Sequence, residues 1–161
     1  MYTLHKILSR VYLGDYEAAS DLVLLKHHGI THILVVGDGL SQKFPDHFSY
    51  MQLSIYDLNS SNLLEHFDRC NEFIRQSIEN KGKVLIHCDT GISRAPTIAI
   101  AYVMASKHFS FAHALEFLKK KHPETQPNNN FVTQLNQYQA KLLKQSGFDI
   151  VKNEVCGCSI F

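Results

Sequence analysis

A chain of 161 residues that is 45% hydrophobic and 19% charged has the size and balance of one globular domain with its own core. Its formal net charge of +1 supplies no broad basic field, which argues against wholesale nucleic-acid or anionic-membrane binding and requires any anion to be held locally. No apolar run is long enough to span a bilayer, and Met1 to Lys6 carries neither a signal peptide's apolar core nor a myristoylation glycine, so the expected compartment is the cytoplasm.

In chain order, Val11-Tyr12-Leu13-Gly14 is strand-like, and Tyr16 to His28 reads as a helix with Ala19, Leu22, Val23 and Leu25 on its apolar face, stopping at Gly29. Thr31 to Val36 is a buried strand rich in β-branched residues, and Phe48 to Ile55 alternates as another. A loop of Asp, Asn and Ser leads to a helix with apolar positions Leu63, Phe67, Cys70, Ile74 and Ile78, for which Asn62 and Glu65 are the N-cap and N3 pair. Asp57 falls outside that cap. Lys83 to His87 is a short buried strand, and Pro96 to Ser106 is apolar nearly all round, as a central helix would be. Two amphipathic helices follow, one with Phe111, Ala114, Leu115 and Leu118, the other with Phe131, Leu135, Tyr138 and Leu142. Strands alternating with helices predict an α/β fold, a mostly parallel central sheet flanked by helices, with ligands gathering at the carboxyl ends of strands.

The segment His87-Cys88-Asp89-Thr90-Gly91-Ile92-Ser93-Arg94 joins a buried strand to the start of the central helix. A loop curling into a helix N-terminus exposes unpaired N–H groups and the positive end of the macrodipole, which together make a concave anion site. Gly91 permits the curl, and Arg94 can fork two donors onto two phosphate oxygens. Cys88 sits in the same positive potential; thiols so placed fall from about 8.5 to roughly 3.5–7.5. The expected chemistry is in-line attack of a Cys88 thiolate on phosphorus, giving a phosphocysteine that water hydrolyses, with no metal or other cofactor. His87 is expected to orient the loop through a backbone contact, and Ser93 to donate to the sulfur or brace the loop. The leaving oxygen needs an acid from a separate loop, for which Asp57 is the candidate and Asp38 the competitor.

The pattern H-C-x-x-G-x-S-R resembles the signature of the dual-specificity branch of cysteine-based protein tyrosine phosphatases. Val11-Tyr12-Leu13-Gly14, Thr31-His32-Ile33-Leu34, Ala101-Tyr102-Val103-Met104 and the run Pro127 to Leu135 are similar to further segments of that family, so the resemblance covers roughly residues 8 to 144. It implies a cysteine-phosphatase fold over residues 1–146 and hydrolysis of phosphotyrosine and phosphoserine or phosphothreonine in phosphoprotein substrates. It also places the acid on an aspartate about thirty residues before the cysteine, which Asp57 fits and Asp38 does not. Ala95 departs from the pattern, standing where most members carry Ser or Thr; the missing hydroxyl implies slow breakdown of the intermediate. Asp89 and a loop without lysine argue against inositol-lipid phosphates, and no carbohydrate-binding extension points to a glucan. Alternative functions are a phosphoprotein-binding module of low turnover and the same chemistry on a non-protein phosphoester such as a glucan, an RNA 5′ end or a phosphoinositide.

Cys70 falls on an apolar helix face and reads as core. The cysteines are too few for a disulfide framework or a zinc site, and His27, His28, His32, His47, His66, His108 and His113 show no metal-ligand spacing. Lys119-Lys120-Lys121 reads as a solvated helix end, and Asn128 as a cap of the last helix that could also brace a neighbouring loop. Residues 147–161 form a tail ending Cys158-Ser159-Ile160-Phe161, as a prenylation box would, with Cys156 a second acylation candidate and membrane association the consequence. The expected oligomeric state is a monomer.

Overall fold

The computed structural model describes residues 2–145, together with 147, 149 and 150. The lipidation candidates Cys156 and Cys158 lie outside the described residues. Among the described residues five strands form one sheet: β1 (Leu4–Leu8), β2 (Val11–Gly14), β3 (His32–Val36), β4 (Ser49–Leu53) and β5 (Val84–His87), in the order β1-β2-β5-β3-β4. Only the edge strand β1 is antiparallel; β2, β5, β3 and β4 run parallel. The α/β expectation therefore holds, with β1 an element that the sequence pattern does not announce.

Strand alternation divides the core between the two faces of the sheet. Leu34, Val36, Val84 and Ile86 face one way, against α3 (Phe67–Glu79), α4 (Arg94–Lys107), α5 (Phe111–Lys121) and α6 (Asn129–Lys144). Ile33, Val35 and Leu85 face the other way, with Ala19, Leu25, Ile30 and Phe48. Helix α4 is the hub, buried from Ala95 to Ala101 without interruption and again at Val103 and Met104. Pro96 is tolerated because it stands in the first turn, where its missing N–H has no intrahelical partner to lose.

Two helical expectations are corrected. Tyr16 to His28 is not one helix but two, α1 (Tyr16–Ala19) and α2 (Leu22–His27). Asp21 interrupts it, its carboxylate accepting from Leu24 N–H at 3.0 Å as a fresh N-cap, and Val23 points to solvent at 80% exposure instead of joining the apolar face. Asn62 does accept from Glu65 N–H, at 3.3 Å, but what it caps is a 3-10 turn (Leu64–His66) that precedes α3. The orphan N–H groups of Leu63 and Leu64 are taken by Gln134 Oε1 at 2.8 and 2.9 Å, which pins this turn to α6. No helix among the described residues is long and apolar enough to cross a membrane.

Candidate active site

The β5–α4 loop, Cys88 to Ser93, opens at the carboxyl end of the central strand β5. Its curvature is fixed from outside. The carbonyl of Asp89 accepts from Tyr16 N–H at 2.9 Å, that of Ile92 from Gln126 N–H at 2.8 Å, and that of Gly91 from His122 Nε2 at 2.7 Å. In a trans peptide the N–H lies opposite the carbonyl, so these three ties turn the N–H groups of Thr90, Ile92 and Ser93 inward. A ring of donors results, with the N-terminus of the 14-residue helix α4 closing it.

Gly91 is required twice over. Its φ of +73° lies in the left-handed region, and a Cβ there would stand 3.0 Å from Gly14 O. Gly14 is equally bare, since a Cβ on it would meet Thr3 O at 2.7 Å. The loop thus rests backbone to backbone on the end of β2.

Cys88 lies at the base of this ring, 1% exposed, and its Sγ accepts from Gly91 N–H at 3.2 Å. Burial pushes the Cys88 thiol up; the backbone N–H groups of Ala95 and Gly91 and the Arg94 guanidinium pull it down, and the Asp57 carboxylate pushes it up again. Burial outweighs the rest, so the net direction is opposite to the depressed thiol expected from the helix position alone. His87, also 1% exposed, is pushed down by burial and donates from Nδ1 to Cys88 O at 3.1 Å, the loop-orienting contact expected of it. Cys70 is a different thiol: buried on α3, it is pushed up to about 12.

Arg94 opens α4, and one guanidinium nitrogen donates to Ile55 O at 3.1 Å, holding the side chain under the loop that carries Asp57. Asp57 is tied to the Cys88–Ser93 loop itself. Ser93 Oγ and Asn128 Nδ2 both donate to its Oδ1 at 2.8 Å, and Asn128 N–H donates to Ser93 Oγ at 3.0 Å. Ser93 is therefore a brace and not a donor to the sulfur. Asn128 also caps α6 through Oδ1, which accepts from Phe131 N–H at 2.9 Å, so one side chain links the last helix to the candidate acid. Asp38 sits at the same Ile55 carbonyl, its N–H donating there at 3.1 Å, but its carboxylate is turned to the Tyr56 phenol, accepting from it and pushing that group up.

Cys88, Arg94, Asp57, His87 and Ser93 are thus brought together, with Asp89 and Thr90 exposed on the rim. Sequence reading missed the outer supports, Tyr16, His122 and Gln126. Two of these act through backbone N–H groups, which every residue except proline has, and His122 is one of ten histidines with nothing local to single it out.

A family model described as dual specificity phosphatase, catalytic domain, matches residues 11–141. The chain is 42% identical over 127 residues to mouse dual specificity protein phosphatase 19, covering 79% of this chain and 58% of that protein. It is 34% identical over 139 residues to dual specificity protein phosphatase 1B of Arabidopsis thaliana, covering 86% and 83% of the two chains. Among solved structures, the human tyrosine phosphatase-like serine/threonine/tyrosine-interacting protein superposes with a TM-score of 0.85 at 33% identity, covering 87% of this chain and 97% of that one.

Proposed function

This chain belongs to the dual-specificity phosphatase family, and from that premise we propose that it hydrolyses phosphotyrosine and phosphoserine or phosphothreonine esters of phosphoproteins through a phosphocysteine on Cys88. The observation that carries the reading is the pair of 2.8 Å bonds by which Ser93 and Asn128 fix the Asp57 carboxylate over the loop that holds Cys88.

Cys88 loses its proton to solvent and its Sγ attacks phosphorus in line. The N–H groups of Thr90, Ile92 and Ser93 and the Arg94 fork hold the three equatorial oxygens, where charge is spread in the transition state. Asp57 gives its proton to the leaving alkoxide or phenolate; because both tethers are on Oδ1, Oδ2 is the oxygen suited to carry it. The same carboxylate, now ionised, takes a proton from the water that attacks the phosphocysteine, and inorganic phosphate leaves. Tyr56 and Leu58 flank Asp57, and Ile92 lies in the loop; these exposed apolar side chains suit the backbone and side chains around a phosphorylated residue.

Ala95 favours a second reading. It is fully buried, its N–H acts on the Cys88 sulfur, and no hydroxyl stands there to ease departure of sulfur from phosphorus. A module that binds phosphoproteins and turns over slowly fits this substitution, and one solved relative is named as phosphatase-like and interacting. Hydrolysis of a small aryl phosphate without added metal, by wild type and Cys88→Ser, separates the two. A burst and turnover abolished in Cys88→Ser supports the enzyme; phosphopeptide binding with neither burst nor turnover in wild type supports the binding module.

A further inference from the structure

Behind the loop that carries Cys88, three side chains from two segments converge on one point. His122, fully buried at the end of α5, has Nε2 at 2.7 Å from Gly91 O. A carbonyl only accepts, so the proton is on Nε2 and Nδ1 is a bare lone pair. Facing that lone pair at 2.8 Å is Nδ1 of His5 on β1. Glu124 Oε2 stands 3.7 Å from His122 Nδ1 and 3.9 Å from His5 Nδ1. The two rings cross edge-on at 69°, which directs both nitrogens into the same space instead of stacking the imidazoles.

We propose that His5 Nδ1, His122 Nδ1 and Glu124 Oε2 form a binding site for a divalent transition cation of the zinc class, joined to the phosphate loop through Gly91. Two imidazoles and one carboxylate suit zinc and its neighbours, whereas magnesium and calcium prefer oxygen alone. The three donor atoms lie within 4.8 Å of one another. Ligands about 2.0–2.1 Å from a tetrahedral ion stand about 3.3 Å apart, so the imidazoles open and the carboxylate closes by roughly half an ångström. The orienting bond that metal-bound histidines make from their other nitrogen to a backbone carbonyl is already present, from His122 to Gly91.

Entry of the ion displaces to solvent the proton held between the two Nδ1 atoms, and His5 takes one from solvent on its exposed ring's Nε2, so that both imidazoles bind neutral with no net proton released. His5 and Glu124 side chains are 35% and 46% exposed, giving the ion access and leaving its fourth position to water. The site is legible only in the fold, since His5 and His122 are 117 positions apart. It stands apart from the phosphatase reading, because no step of the hydrolysis uses it.

The test uses the full chain with Cys88, Cys156 and Cys158 changed to serine, which removes the competing thiolates and all turnover. Zinc is titrated in competition with a chromophoric chelator. One equivalent is expected, with affinity falling at least about tenfold in both His5→Ala and Glu124→Gln. Thermal melting of each variant checks that it is folded; His122 is left in place because it is buried. No zinc uptake by the folded parent, or uptake unchanged by either substitution, overturns the site.

Discussion

The phosphate loop and the wall that supports it are built on opposite plans. Cys88 to Arg94 is one contiguous segment in which the chemistry-bearing residues are neighbours in sequence. The wall is assembled from Gly14 at the end of β2 and Tyr16 beyond it, Asp57 after β4, His122 and Gln126 after α5, and Asn128 at the start of α6. On the proposed mechanism the loop supplies the nucleophile and the phosphate donors, and the wall supplies their orientation and, in Asp57, the acid. Damage to the loop should therefore remove catalysis, while damage to the wall should grade it.

Cys88→Ser carries the largest expected effect, a loss of about 10⁴-fold or more in kcat, since the nucleophile itself is gone. A smaller loss in steady-state aryl phosphate hydrolysis would break the loop side of the comparison. Arg94→Lys retains charge but not the fork, and a fall of about 10²–10³-fold in kcat is expected for losing donors made to the transition state.

Asp57→Asn should lower kcat by about 10²-fold for phosphopeptides and less for an aryl phosphate whose leaving group needs no proton. It has a second readout of known sign. The Asp57 charge pushes the Cys88 thiol up, so removing it should move the pH midpoint of Cys88 alkylation down, whereas Arg94→Ala should move it up. A shift of either midpoint in the other direction would contradict the electrostatic account.

Asn128→Ala touches only the wall. It removes one of two donors on Asp57 and the cap of α6, and should cost about tenfold in kcat with a drop of about 1 kcal/mol in stability by denaturant unfolding. The Asp57 dependence of the Cys88 midpoint should survive. Ala95→Ser carries the smallest effect, a severalfold rise in the slow phase after the burst with the burst itself unchanged, measured by stopped-flow release of the aryl alcohol. An unchanged slow phase would detach turnover from the missing hydroxyl.

What was legible in the sequence follows the same division. The loop could be read because its residues share one short stretch, the strands β2, β3 and β5 because their burial on both faces produces apolar runs, and β4 because it alternates. The edge strand β1 escaped because His5 and Lys6 interrupt its apolar pattern, and its place depends on pairing with β2. The break in the first helix was written as Asp21 but hidden by an apolar periodicity in which Val23 proved exposed. The direction of the Cys88 shift was misjudged for a related reason: helix position can be read from sequence, whereas the depth of burial opposing it depends on how the whole fold closes over the sulfur.

The three outward ties of the loop carbonyls also predict an order of events in folding. Tyr16 reaches the loop from α1, but His122 and Gln126 arrive only when α5 and the segment before α6 have docked. A chain with β5 and α4 formed but that docking incomplete would hold Cys88 as an unshielded thiol, open to alkylation and without affinity for phosphate. Recovery of phosphate binding during refolding should therefore trail the formation of helix and coincide with protection of Cys88, which makes the nucleophile a reporter of the last step in assembling its own pocket.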